Sequence, residues 1–497
     1  MTASSSSRVH DVVIAGGGPV GLLLACELAL ARLDVLVLER DDHPEAPLKS
    51  APLGTRGLSV ATAEALHRRG LLHELVADDA PRKTQAGHFA GIAIDPARID
   101  ASRWTYQLPN PAASNFAADM ASIERVLAAR AAALGVAIRR GCAVTALADD
   151  GDAVTVHAGG RAFRAQWLVG CDGGRSVVRK LAGFEFPGTE PEFTAYSALV
   201  DIADPHKLRP GRNATLRGFY MNDPGRIAIA DFDGGAFDRS EAITREHLQA
   251  VLRRVSGTDV TLSAVHLATS FTDRARLATT YRKGRVLLAG DAAHIHSALG
   301  GQGLNAGLGD AMNLGWKLAA TVRGDASAAL LDTYEAERRP VGEWVLDWTR
   351  AQAAIMRPDP QARALEGIVR DLVATRDGAT YFAAQLWGVS LRYDLGEGHP
   401  LAGRSAPDFE FDDGRRLADH LREGAGVFVD FVGSESTRQA LARWSDRIRH
   451  VATNAQDTLG LAALLVRPDG FVAWASDDAP TREDIEAAAT RWFGSRA

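Results

Sequence analysis

The sequence predicts an α/β protein in three parts, on three observations. A glycine-rich turn joins an apolar strand to a helix near the N-terminus. The strand-and-helix pattern gives way to long strands from Phe184 to about Thr280 and then resumes. A composition shift past Gly396 opens a last, short α/β stretch.

Val12, Val13 and Ile14 are apolar and β-branched, the mark of a buried strand. Gly16-Gly17-Gly18-Pro19-Val20-Gly21 satisfies G-x-G-x-x-G, a helix covers Leu22 to Ala31, and a second strand, Val35 to Leu38, ends in Glu39 and Arg40. Gly16 permits the tight turn, Gly18 lets the backbone approach a pyrophosphate, and Gly21 lets helix pack on strand. The helix N-terminus offers unpaired N–H groups and a positive dipole end to phosphates. Glu39 stands where a carboxylate accepts hydrogen bonds from a ribose. This order implies a Rossmann-like unit and a dinucleotide, without separating FAD from NAD.

The chain has 497 residues, too many for one simple core. A net charge of −6 argues against a nucleic-acid footprint or an anionic membrane surface, and no apolar run reaches a membrane span. Residues 1–10 are polar and Ser-rich, read as a loose tail on a cytoplasmic protein. Cys26, Cys142 and Cys171 are widely spaced and read as buried thiols; His294 and His296 lack the further ligands of a metal site, so no metal is expected.

A polar, Pro-rich stretch leads to Arg56, which is placed to reach a phosphate or to sit on the surface, and to a helix over 62–69. Another amphipathic helix, 122–134, is followed by strands over 137–140, 142–148, 154–157 and 164–169. The last runs into Cys171-Asp172-Gly173, with Ser176 capping the next helix, so Asp172 is held at a strand's C-terminal end, where α/β folds place ligands. The middle part reads as an antiparallel sheet with one helix and carries Tyr196, Phe219, Tyr220, Met221 and Phe232, as core or as a pocket lining. The strand 285–288 then ends at Asp291. Gly300-Gly301-Gln302-Gly303 feeds a helix from Leu304 to Val322, a second anion-binding device. Helices over 330–356, with a break near Pro340, and 362–391 follow. The last 95 or so residues read as a separate small domain with a hairpin at Pro468-Asp469-Gly470.

GGGPVG with Glu39, CDGGRSVVR, and GDAAHIHSALGGQGLNAGLGDAMNLGWKLA together resemble the class A flavoprotein monooxygenases, the aromatic hydroxylases related to p-hydroxybenzoate hydroxylase. The ending HPLAGRSAPDFEF, in a domain without C-x-x-C, resembles the thioredoxin-like tail of the larger members, which oxidise polycyclic polyketides, rifampicin or phenols. The resemblance implies a FAD-binding domain over 11–183 and 281–395, a substrate-binding sheet domain over 184–280 and a thioredoxin-like domain over 396–497. It places Gly16, Gly18, Pro19, Val20 and Gly21 at the FAD pyrophosphate and Glu39 and Arg40 at the adenosine. It places Arg56, Met120, Asp172, Gly173, Asp291, Gly301, Gly303, Leu304 and Asn305 around the rest of the cofactor. Phe219, Met221, Phe232, His296 and Ala298 are the implied substrate lining. Three positions depart from the family's pattern: Ala61 for an arginine, Met120 for a glutamine and Ala298 for a proline.

The implied reaction consumes NADPH and O2 and hydroxylates a polycyclic aromatic molecule through a flavin C4a-hydroperoxide, and the partner range extends to a homodimer. Baeyer–Villiger oxygenation of a polycyclic ketone, oxidative inactivation of an antibiotic, and a flavin-binding protein without turnover stay open as alternatives. No residue declares itself as a catalytic base.

Overall fold

The computed structural model describes residues 8–76, 87–396 and 398–495. It is built on three sheets that match the three parts of the sequence. The first has eight strands. Its parallel centre runs in the order Val286–Leu288, Arg161–Gly170, Val9–Ala15, Val35–Leu38 and Ala137–Arg139. Val12, Val13 and Ile14 are fully buried there, as strands covered on both faces require. The first strand begins at Val9, so residues 9 and 10 belong to the sheet and not to a tail.

The second sheet is antiparallel, in the order Gly211–Thr215, Gly218–Asp223, Arg226–Asp231, Thr194–Ile202 and Leu262–Thr272. Alternation assigns its two faces. Tyr196, Tyr220 and Ile229 pack under the Arg245–Ser256 helix. Phe193, Phe219, Phe232 and Phe271 gather on the other side with Leu299. The edge strand Gly211–Thr215 was not expected.

The C-terminal sheet runs Ile448–Ala452, Gly426–Asp430, Ala463–Val466, Val472–Ser476, with the first pair parallel and the others antiparallel. With the helices Glu435–Leu441 and Arg482–Phe493 this is a thioredoxin-like arrangement.

Two helix expectations change. The Ala328–Met356 helix continues through Pro340 instead of breaking there, because it is packed against all three parts: Leu331 and Leu346 on the first, Leu330 and Val341 on the third, and Trp348 and Met356 beside Phe219 and Phe232 of the second. The stretch read as one helix over 362–391 is two, Pro360–Val373 and Arg376–Trp387, because Thr375 accepts a hydrogen bond from Gly378 N and starts a second helix.

Candidate functional site

The glycine turn is fixed by close approach. Gly16 has φ +109°, and a β-carbon there would stand 2.3 Å from Cys171 O; one on Gly21 would stand 2.0 Å from Gly16 O. At Gly18 a β-carbon would meet nothing within 4 Å. That opening faces a cavity of about 240 Å3, lined by Gly16, Gly18, Glu39, Arg40, Asp172 and Gly173 together with Lys49 and Arg175. Gly17 N and Asp41 N donate to the two Glu39 carboxylate oxygens at 2.6 and 2.9 Å, so the acid is held at the cavity rim. Asp172 is held by Val177 N at 2.6 Å and Val178 N at 3.0 Å, and Ser176 caps the next helix as expected.

The helix ends differ in their capping, and the Ala328–Met356 helix, like the two that begin at Gly18 and Gly301, has no side-chain cap. The Val60, Met120 and Pro360 helices have their first N–H groups taken by Ser59, Asp119 and Asp359. The Pro19–Leu30 and Gln302–Val322 helices begin at Gly18 and Gly301 with no side-chain cap and no acid in the first turn. Their N–H groups and dipole ends are left for an anion.

The two ends are coupled through Val20. A β-carbon on Gly290 or Gly307 would stand 3.1 or 2.7 Å from its Cγ2, so the first helix packs directly on the 290 loop and the second helix. Asp310 locks that loop: it accepts from Gly290 N at 2.9 Å, His294 Nε2 at 2.8 Å and Arg338 Nε at 2.7 Å. Burial alone would raise the Asp310 carboxyl, but Arg338 and His294 hold it below the usual range, so it is an anion. His294 is thereby a strut. His296 Nδ1 donates to Ser297 O at 2.7 Å, which leaves Nε2 as an acceptor beside Gly303 and Asp291. Burial pushes the His296 imidazole below its ordinary value.

Asn305 closes the helix end onto the 55–58 strand. Its Oδ1 accepts from Ser59 N at 2.9 Å, and its Nδ2 donates to Gly57 O at 3.0 Å and Gly301 O at 2.9 Å. Leu304 is half-buried on the first turn. Met120 N donates to Gly54 O at 3.1 Å, against the same strand. Arg56 lies on that strand but its Nη1 donates to the carbonyls of Leu53 and Thr55, away from the phosphate cavity.

Phe219 and Phe232 meet Leu299, the neighbour of Ala298, on the sheet's inner face. Ala298 is exposed and Met221, one step along the strand face from Phe219, lies outside the aromatic cluster. The cluster gains members that the sequence did not announce. Phe89 stands 4.7 Å from Trp348 and 4.9 Å from Phe382, and Trp344 stacks on Trp348 at 5.3 Å. The four-residue spacing of Trp344 and Trp348 on one helix was the available signal.

The site residues fit a flavin dinucleotide: an open glycine cradle, a fixed acid at the ribose end, basic Lys49, Arg40 and Arg175 around it, and a second bare helix end. Ser297 Oγ, fully buried without a partner in the described residues, is a further polar atom left for a bound group.

A model of the FAD binding domain matches residues 9–349, and one of the aromatic-ring hydroxylase C-terminal domain matches residues 399–496. A monooxygenase of Claviceps purpurea is 47% identical, covering 99% of both chains. A rifampicin monooxygenase of Streptomyces venezuelae is 39% identical over 98% of this chain and 99% of its own. The solved anhydrotetracycline hydroxylase of Streptomyces rimosus superposes with a TM-score of 0.87 at 38% identity, covering 99% of this chain and all of the other.

Proposed function

The chain belongs to the FAD-binding aromatic-ring hydroxylase family, a family of monooxygenases, and from that premise we propose that it hydroxylates a neutral or phenolic polycyclic aromatic molecule of polyketide type, with NADPH as reductant. The observation that carries the reading is the pair of domain matches, which together span nearly the whole chain. Relatives named for rifampicin and anhydrotetracycline support the polycyclic class.

Bound FAD supplies the activation of dioxygen and accepts the reducing electrons. The protein's own part is position, charge and dryness. Gly16, Gly18 and the bare Pro19 helix end would hold the pyrophosphate, Glu39 the adenosine ribose, and Asp291 a ribityl hydroxyl. The Gln302 helix end, kept in place by Asn305, would offer N–H groups to the negative charge that a reduced flavin carries. The packed cluster of Phe219, Phe232, Phe89 and Trp348 would exclude water and offer an apolar wall to a ring substrate. Arg175 is exposed and lines the dinucleotide cavity. With Arg40 and Lys49 on the same lining, this positive charge supports a phosphorylated nicotinamide donor. We assign residues 11–183 with 281–395 to the cofactor, 184–280 to the substrate and 396–497 to a thioredoxin-like structural unit.

The test is NADPH oxidation by the FAD-loaded protein with and without polycyclic phenols, with oxygen uptake and product mass followed together. Substrate-stimulated oxidation with a gain of one oxygen atom is expected. A yellow protein that no compound stimulates would overturn the reading in favour of a flavoprotein without turnover. A lactone product would assign Baeyer–Villiger chemistry instead.

A further inference from the structure

A second, larger cavity of about 350 Å3 has no lining residue from the antiparallel sheet. Its floor is one stripe of the Gln302–Val322 helix, from Gln302 and Asn305 through Met312 to Asn313. The twelve helical residues from Gln302 to Asn313 make it roughly 16 Å long. Ala61 and Ala65 form one wall, Val341 and Trp344 another, and the 388–394 strap is the roof. One end adjoins the bare helix end at the flavin side. The other is closed by Asp469 and Phe471 of the C-terminal domain.

Natural interiors pack too closely to leave such a volume without use, and its size falls in the ligand-site range of about 300–1,000 Å3. Its chemistry is selective. The charged side chains in its wall are already committed. Glu337 takes both Arg467 terminal nitrogens at 2.8 Å. Arg338 donates to Asp310, Tyr393 Oη and Ala306 O. Arg392 donates to Ala402 O, Arg68 to Ser405 Oγ and Ala406 O, Asp469 is bound by Arg467, and Asp394 accepts from Gly396 N. The buried charges are paired within the protein, Arg68 with Glu64, Arg338 with Asp310, and Glu337 and Asp469 with Arg467, while Arg392 and Asp394 are exposed at the roof, so burying an ionic ligand against the floor would cost more than apolar contact returns. Gln302 is a buried polar handle on the floor. It is 7% exposed, and its Nε2 reaches Gly300 O only at 3.5 Å. Ala61 and Gly388 face each other so closely that a β-carbon on Gly388 would stand 3.1 Å from Ala61 Cβ, so the small residue at 61 keeps the passage free.

We propose that this chamber is a second ligand site, separate from the aromatic face of the sheet, for a neutral, flat, largely apolar fused-ring molecule that Gln302 hydrogen-bonds at one end. The choice of a fused-ring ligand rests on the polycyclic reading above; the neutrality and shape rest on the chamber alone.

The test uses the FAD-saturated full chain, 2-aminoanthraquinone as a neutral probe and anthraquinone-2-sulfonate as its charged counterpart, with binding followed by equilibrium dialysis. Leu391→Trp fills the chamber from the roof and Val341→Phe from the wall. Retention of FAD absorbance shows that each variant is folded. Each variant is expected to lose one bound neutral probe per chain, or to bind it roughly tenfold more weakly, and the wild type to bind the sulfonate roughly tenfold more weakly than the neutral probe. Unchanged stoichiometry and affinity in both variants, equal binding of the sulfonate, or no neutral binding up to the probe's solubility limit would each overturn the proposal. Substrate-stimulated NADPH oxidation, measured on the wild type alone, reports separately on the monooxygenase reading and does not depend on this result.

Discussion

Arg467 of the C-terminal domain donates from both terminal nitrogens to Glu337 of the Ala328–Met356 helix, each at 2.8 Å, with Arg467 fully buried. Asp469 takes the same guanidinium at 2.6 Å, while Asn313 Nδ2 at 2.7 Å and Lys317 Nζ at 2.9 Å bring Glu337 onto the Gln302–Val322 helix. The C-terminal domain is therefore tied by charge to the helix whose other end is the uncapped N-terminus at Gly301. Arg69 adds a second tie: it is paired with Glu27 and donates to Leu421 O and Pro468 O, both at the C-terminal domain.

Arg467→Met is expected to destabilise the protein by about 3–5 kcal/mol, because Glu337 and Asp469 stay buried with a charge partner removed. Arg467→Lys should recover only part of that, since an ammonium cannot make the forked contact. Urea unfolding of the three proteins measures it. Equal midpoints would show that the contact contributes nothing.

Lys317 gives stability a pH signature. Burial lowers its ammonium to about 7, although Glu337 opposes this. The unfolded chain then holds a proton that the folded chain has released between pH 7 and the ordinary lysine value, so stability from this group rises with pH across that window. Lys317→Met should flatten the rise. Glu337 acts at the other end: burial would raise it, but Arg467 and Lys317 hold it at about 2, so its contribution is lost as pH falls below the ordinary carboxylate value. Thermal unfolding from pH 2 to 10 reads both effects.

The glycine turn separates folding from binding. Gly16→Ala puts a β-carbon against Cys171 O in a left-handed backbone and should lower the melting temperature of the apoprotein. Gly18→Ala projects only into the open cradle, so the apoprotein should melt as wild type while FAD binds at least roughly tenfold more weakly. Equal FAD affinity in Gly18→Ala would remove the pyrophosphate from that cradle.

Asn305→Ala removes three contacts that pin Ser59, Gly57 and Gly301 around the helix end. A loss of about 0.5–1.5 kcal/mol in FAD binding is expected, the scale of a net hydrogen bond, from a helix end no longer pinned to buried Ser59. Titration of apoprotein with FAD, read by flavin fluorescence, gives the number; a change under a few tenths would mean that the helix end is held by other contacts.

The parts of the site that were legible were contiguous. Gly16 through Glu39 lie in one strand–turn–helix–strand unit, and Asp172 and Asp291 close buried strands of the same sheet, so local pattern places them. The Pro360–Val373 helix shows the limit. It buries Glu366 and leaves Leu365, Ile368 and Leu372 exposed at 46%, 60% and 54%, against what its pattern implies. Ion pairs of Glu366 with Arg363 and Arg370, and with Arg212 of the sheet domain, turn it that way, and only one of those partners is remote in sequence.

The sequence by itself determined the dinucleotide turn, the parallel sheet around it, the inserted antiparallel sheet and the family, because these are written in short-range spacing, periodicity and contiguous motifs. Tertiary structure alone decided the aromatic wall of Phe89, Trp348 and Phe382, the chamber under the 388–394 strap, and the joining of Arg467 to Glu337. Each depends on residues brought together across long stretches of chain, and packing and charge neutralisation select those partners only when the folded elements meet.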